Sequence, residues 1–347
     1  MRQPRHTLPL HSSDPLYVSV TRGGAEESMH LVDVALCDAD GAVLIGLGDV
    51  ERPVFPRSAM KPLQSIALAE KLPEMDPAMR LSQRELSLIC ASHNAQTAHV
   101  EAVQSLLGRF DLSPELLSCG AQWSGDQETL IEQARALDAP HKIHNNCSGK
   151  HAGMLVLGHL MGAPAKNYAA ITHPVQQTIL GVLENMTGVD LLSHPHGIDG
   201  CGAPALSAPL GNWARAFALF AGGGDLSERR ATACAAIRDG VAAEPFMIAG
   251  DRRFCTALNR EFGSLITAKT GAEGVFAAGF HELGLGVMVK ARDGNRRAAE
   301  VALGAVVHSL GYDIPSALAP YVQPELRNWA GDVVGAIHVT GALALAE

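Results

Sequence analysis

The apolar positions change period twice along the chain. Residues 16–49 carry strand-length runs: Leu31 to Leu36 is mostly apolar, Asp38-Ala-Asp-Gly41 signals a turn, and Ala42 to Leu47 resumes the run. Pro53 and Pro56 break that pattern. From Ser58 to Leu72 the period becomes helical, with Met60, Leu63, Ile66, Ala67 and Leu68 as apolar positions. Ser82 is placed to cap a further helix from Arg84, with Glu85 at the capping-box offset. Residues 97–109, 126–137, 173–187 and 227–243 also read as helices, as does the stretch from about Ala152 to Met161. The period then shortens again. Leu265 to Ala268, Gly274 to Phe280 and Leu285 to Val289 read as short strands separated by glycines, which suits a late β-meander. Val333 to Leu345 includes an alternating segment that predicts a last strand.

Strands first, helices in the middle and strands last predict an α/β (α+β) fold. Its simplest form is an antiparallel sheet built from both chain ends with helices packed on it. The chain has 347 residues, which fits one large domain or two lobes. The expectation is a single catalytic domain over 1–347, with room for two lobes and a helical middle region from about 75 to 260. Gly222-Gly-Gly-Asp225 is too short to define a boundary.

Charge narrows the partners. The net charge is −9, whereas a nucleic-acid partner or an anionic membrane surface would call for a basic face. No stretch approaches the ~18 apolar residues of a membrane span, and no apolar run follows the two early arginines as a secretory signal requires. A cytoplasmic protein is therefore expected. The seven cysteines are an odd number and do not read as a disulfide framework.

Arg57-Ser-Ala-Met-Lys61 contains S-x-x-K at the start of the apolar helix. Residues three apart share a helix face, so the Ser58 hydroxyl and the Lys61 amine can meet. A helix start disfavours an ammonium, so Lys61 can act as the base that activates Ser58. Taken alone, the tetrapeptide reads more readily as a capping serine followed by a surface lysine. Ser92-His-Asn94 and Lys269-Thr-Gly271 change the weighting. S-x-x-K, then S-x-N, then K-T-G is the order found in penicillin-recognising serine enzymes, whose middle motif is S-D-N. There the K-T-G segment lies on a strand beside the serine, its lysine and threonine hold a substrate carboxylate, and its glycine leaves room for substrate. Ser92 and Lys269 form a second candidate serine-lysine pair, suited to relaying protons to a leaving group.

His144-Asn-Asn-Cys-Ser-Gly-Lys-His151 precedes a helix and ends like a phosphate loop. However, His144 stands where that motif needs glycine, and His151 replaces its Ser/Thr. Cys147 in this segment and Cys201 in His194-Pro-His-Gly-Ile-Asp-Gly-Cys-Gly-Ala-Pro204 are thiols that suit zinc. Without C-x-x-C or H-E-x-x-H spacing, burial as free thiols is the stronger reading of the spacing. Asp199 is a carboxylate behind such a site, or a turn residue.

Together these segments resemble the rhizobial-type L-asparaginases, the serine-lysine class, whose fold is similar to serine β-lactamases and glutaminases. The resemblance rests on Arg57-Ser-Ala-Met-Lys-Pro-Leu-Gln64, Cys90-Ala-Ser-His-Asn94, His144 to Gly153, Asp199-Gly-Cys-Gly-Ala-Pro-Ala205 and Ala268-Lys-Thr-Gly271. It implies hydrolysis of L-asparagine to L-aspartate and ammonia, with Ser58 as nucleophile, Lys61 as base, and Ser92 with Lys269 as the second pair. Arg57, His93, Asn94, Thr270, Gly271 and Asp199 are the positions expected to meet the substrate. The resemblance also implies a zinc site formed by Cys147, Lys150 and Cys201, with a neutral lysine as ligand, and a homodimer. A glutaminase, a β-lactam hydrolase or another small-amide hydrolase fits the same motif trio. A non-catalytic zinc- or ligand-binding protein on the same scaffold would keep the cysteines and dispense with Ser58.

Overall fold

The computed structural model of the protein describes residues 3–344. The chain first forms strands β1 (Leu10–Ser12), β2 (Leu16–Arg22), β3 (Ala25–Cys37), β4 (Val43–Leu47) and β5 (Pro53–Val54). A 3-10 turn over Arg57–Met60 then runs into helix α1 (Lys61–Ala69). The helix expected over 58–72 is therefore shorter, and Ser58 lies in the turn ahead of it. Pro62 falls in the first turn of α1, where its missing N–H leaves no helical bond unmade. Helix α2 (Gln83–Ile89) opens on the expected capping box, with Ser82 and Glu85 satisfying each other's backbone N–H groups. Helix α3 (Thr97–Arg109) occupies the predicted stretch. Helix α4 (Gln127–Ala136) starts behind an Asp126 cap. Helix α5 (Ser148–Leu160) begins at Ser148 rather than Ala152, taking in polar residues that the apolar period passes over. Helix α6 (Pro174–Thr187) starts behind His173.

A small hairpin follows, β6 (His196–Ile198) with β7 (Pro204–Leu206), and then β8 (Ala208–Pro209). Helices α7 (Leu210–Phe220), α8 (Glu228–Ala243) and α9 (Phe254–Phe262) lead to the meander β9 (Ile266–Gly271), β10 (Val275–Phe280) and β11 (Leu285–Ala291). The chain ends with α10 (Arg296–Ser309), α11 (Ala319–Val322), β12 (Glu325–Arg327) and β13 (Val333–Thr340). The last strand falls within the expected stretch, over Val333–Thr340, and Leu345 lies outside the described residues.

Two compact units result. The first comprises the chain up to Ala59, Ala208–Gly224, and the chain from Thr270 onward. Its sheet runs in the order β12-β13-β2-β3-β11-β10-β9, so strands from both chain ends interleave as expected. The pairs β12–β13, β13–β2, β2–β3, β3–β11 and β10–β11 are antiparallel. Strand β3 is long enough to pair with β2 along its first part and with β4 along its last. Helices α7 and α10 pack on the sheet. Trp213 of α7 is buried, and its indole N–H donates to the Val54 carbonyl at 3.2 Å.

The second unit comprises Met60–Ser207 and Asp225–Lys269. Helix α1 is buried at every residue from Lys61 to Ala69, under α2, α5, α6 and α8. Helix α5 is buried from Ser148 to Gly158. Helices with no solvent face are interior helices. Lys61 and Lys150 are therefore withdrawn from water by their positions in the fold. No helix among the described residues is long and apolar enough to cross a membrane.

Candidate active site

In the first unit, the turn carrying Ser58 is held in an uncommon conformation. Arg57 has φ +52°, a left-handed backbone that a non-glycine residue adopts only under surrounding constraint. Ala59 N–H closes the turn on Pro56 O at 3.0 Å. Arg57 and Ser58 remain half-exposed while Ala59 is buried. The end of β9 runs directly against this turn. A Cβ on Gly271 would lie 2.3 Å from Pro56 O and 3.3 Å from Ala59 N, so only glycine permits the approach. Thr270, one residue earlier, is buried and donates its hydroxyl to Gly271 O at 3.2 Å. The S-x-x-K turn and the K-T-G strand are thus in contact through backbone.

In the second unit, two lysines converge on one hydroxyl. Lys61 Nζ and Lys269 Nζ each donate to Ser92 Oγ at 2.9 Å. Lys61 also donates to Ala91 O at 2.5 Å and to Cys147 Sγ at 3.2 Å. Both lysines are buried. With both lone pairs of Ser92 Oγ accepting from amines, its own hydrogen is available to donate. Burial pulls the Lys269 amine down to about 7, assisted by the Lys61 and Arg253 cations and opposed by Cys255.

Next to Lys61 lies a sulfur cluster. Cys147 occupies the N-cap position of α5, Lys150 sits in its first turn, and Cys201 comes from the loop between β6 and β7. Lys150 Nζ donates to Cys201 Sγ at 3.0 Å. The hydrogen bond from Cys201, helped by the Lys61 and Lys150 cations, outweighs burial and holds the Cys147 thiol well below its ordinary range. Cys201 is pushed up by that same bond and by burial. Burial works against the Lys150 ammonium, yet the adjacent sulfurs outweigh it and raise this lysine above its usual value. Asp199 accepts from the Cys201 N–H at 3.2 Å and so shapes that turn. Among the described residues no group of three His, Cys, Asp or Glu side chains could hold a metal. Two sulfurs and an amine are nonetheless a donor set that zinc accepts, with Lys150 as the third ligand once deprotonated.

His93 and Asn94 have their polar atoms engaged inside the fold. Ser148 donates its hydroxyl to Ile143 O at 2.9 Å, so at its 2.9 Å contact with His93 it accepts from Nε2–H. His93 Nδ1 accepts the Ala95 N–H at 3.1 Å. Burial, with nearby cationic groups, keeps this ring neutral. Asn94 donates to Asp251 O at 2.9 Å and accepts from Arg253 Nη1 at 2.8 Å. Arg253 belongs to no recognised motif. Asp251-Arg-Arg253 reads as surface charge, and indeed Arg252 turns outward to Asp126 at 2.6 Å, but Arg253 turns inward.

A family model described as L-asparaginase II matches residues 18–339. No curated protein matches the chain. Solved structures that resemble it include a putative β-lactamase from Bacteroides dorei DSM 17855, at 12% identity over 84% of this chain and 93% of that one, with a TM-score of 0.42. Another is a β-lactamase/D-alanine carboxypeptidase from Pseudomonas syringae, at 12% identity over 87% and 94% of the two chains, with a TM-score of 0.39. A β-lactamase from Sulfitobacter sp. EE-36 is similar at 15% identity over 87% and 91%, with a TM-score of 0.37. Likeness at these scores adds no argument about activity.

Proposed function

Because the chain belongs to the L-asparaginase II family, we propose that it hydrolyses the side-chain amide of L-asparagine, releasing L-aspartate and ammonia through an acyl-enzyme on Ser58. The observation that carries this reading is the convergence of two buried lysines on Ser92 Oγ. Such a network can move a proton from an attacking hydroxyl to a leaving nitrogen without recourse to solvent.

Lys61 is the base that takes the Ser58 proton as Ser58 Oγ bonds to the amide carbon. The carbonyl electron pair moves to oxygen, where backbone N–H groups at the 57–60 turn, that of Ser58 among them, stabilise it. Ser92 donates its hydrogen to the amide nitrogen, and the C–N bond breaks with release of ammonia. The proton that Lys61 took from Ser58 then refills Ser92 through the 2.9 Å hydrogen bond. Lys269, the second donor to Ser92, holds that hydroxyl in place. Water next attacks the ester, its proton follows the same groups back to Ser58, and aspartate leaves. Arg57 and Thr270 are the groups suited to the substrate carboxylate. Cys147, Cys201 and Lys150 would hold a zinc ion. When bound, that ion supplies a fixed positive charge that keeps the two sulfurs as thiolates and the Lys150 amine unprotonated.

The test is ammonia release from millimolar L-asparagine by the parent, Ser58→Ala and Ser92→Ala, with L-glutamine in parallel. We expect Ser58→Ala to lose at least ~10³-fold in kcat and Ser92→Ala about 10²–10⁴-fold. Zinc content is measured by elemental analysis on the parent and on Cys147→Ala. A parent inert toward asparagine, or a Ser58→Ala variant as active as the parent, overturns the reading.

A further inference from the structure

The Ser92 hydroxyl can serve two lysines only if the segment that carries it is fixed. Residues 91–96 are not a helix or a strand, and Ala95 adopts φ +56°, so local structure does not hold them. The segment 248–253 does. Ser92 N–H donates to Ile248 O and Asn94 N–H to Ala249 O, both at 3.0 Å. Asp251 N–H donates to Gln96 Oε1 at 3.0 Å, and Gln96 Nε2 returns to Asp251 Oδ2 at 2.9 Å. Gly250 sits at φ +95°, where a Cβ would lie 2.4 Å from Gln96 Oε1, so the two segments touch at a point that admits only glycine. Arg253 closes the arrangement. Its Nη1 donates to Asn94 Oδ1 at 2.8 Å and to the Ser92 carbonyl at 3.3 Å, reaching the residue whose hydroxyl the lysines share.

We propose that Arg253 is a positioning residue, whose guanidinium grips the Ser92 carbonyl and the Asn94 side chain and thereby sets the Ser92 hydroxyl between Lys61 and Lys269. The inference rests on the serine-lysine reading above. Both bonds leave one nitrogen of Arg253, Nη1, whose two N–H groups are fixed in the guanidinium plane and so hold the two acceptors in a set relation. Its charge has a second effect. The groups acting on Lys269 are Lys61 from α1, Arg253 and Cys255 at the start of α9, Cys147 at the start of α5, and Cys90 at the end of α2. Of these, Lys61 and Arg253 are the cations that favour the neutral amine.

The experiment compares the parent with Arg253→Gln and Arg253→Lys in the full chain. Arg253→Gln is expected to lower kcat about 30–100-fold, the order expected for a reacting group displaced by ~1 Å, with KM for L-asparagine within about threefold. Its ionisation attributed to Lys269 moves to higher pH as a cation is lost. Arg253→Lys keeps the charge, so that ionisation stays near its parent position while kcat remains depressed. Hydrogen exchange read at the Ser92 and Asn94 amides, which needs no substrate, is expected to quicken about tenfold in both variants, with the amides of α3 unchanged. Parent-like kcat and parent-like protection in Arg253→Gln overturn the proposal, as does full recovery of kcat in Arg253→Lys. If the parent does not hydrolyse asparagine, the proposed function fails by itself, and the exchange measurement still decides whether Arg253 fixes the segment.

Discussion

Lys269 is buried with its amine near neutrality, and this has a measurable cost. Its pKa lies at about 7 in the folded protein against an ordinary value of 10.5. Between those values the unfolded chain keeps a proton that the native chain gives up, so the contribution of this group to stability rises with pH across that window. The slope approaches about 1.4 kcal/mol per pH unit. Below pH 7 both states are protonated, and the penalty for burying the ammonium is felt in full. Lys269→Met is therefore expected to be more stable than the parent at pH 7, with the advantage shrinking by pH 9.5. Urea unfolding of both proteins at the two pH values checks this, and an advantage that grows with pH would contradict it. At this scale the motif order Ser58, Lys61, Ser92, Lys269 was legible, because each motif is a few residues long and its chemistry is in the residue types. The roles of His93 and Asn94 were not. A sequence displays polar side chains but not whether the fold has already engaged them. Arg253 was invisible for the converse reason: beside Asp251 and Arg252 it looks like solvated charge, and only its inward rotation sets it apart.

Elements whose starts are written within three or four residues were readable. The Ser82–Glu85 box lies where the chain indicates, since a cap is a local bond, and the helices expected from 126 and 173 start behind Asp126 and His173. The start of α1 was not readable, because the left-handed Arg57 that precedes it depends on what packs around the turn. Helices α7 and α10 were not among the expected helices, although both present distinct apolar and polar faces. Strand β9 shows how one element constrains another. A methyl at Gly271 meets Pro56 O at 2.3 Å, so Gly271→Ala must push the strand off the Ser58 turn. We expect kcat to fall about 10²-fold, consistent with a ~1 Å displacement, with near-parent helix content by circular dichroism. Parent-like kcat in this variant would mean that the contact between strand and turn is dispensable.

For the whole molecule, the order of periods along the chain carried the architecture. Strand runs at both ends can form one sheet only by meeting, and they do so in the order β12-β13-β2-β3-β11-β10-β9. Membership of the two units was not legible from such periods. No helix was expected over Leu210–Phe220, and α7 belongs with the sheet rather than with the helices that flank it in sequence. The burial of Trp213 on that helix also gives the protein an optical signature. Its indole sits in apolar surroundings with its N–H bonded to Val54 O, whereas Trp329 at the tip between β12 and β13 is fully exposed. Emission from the first is expected at shorter wavelength and beyond the reach of iodide, and emission from the second to be red-shifted and readily quenched. Trp329→Phe should remove the most readily quenched part of the native protein's fluorescence, leaving the weaker quenching of the half-exposed Trp123; iodide quenching unchanged by the substitution would contradict the assignment. With the half-exposed Trp123 also replaced by Phe, Trp213 becomes an intrinsic reporter for watching the sheet unit melt without an added label.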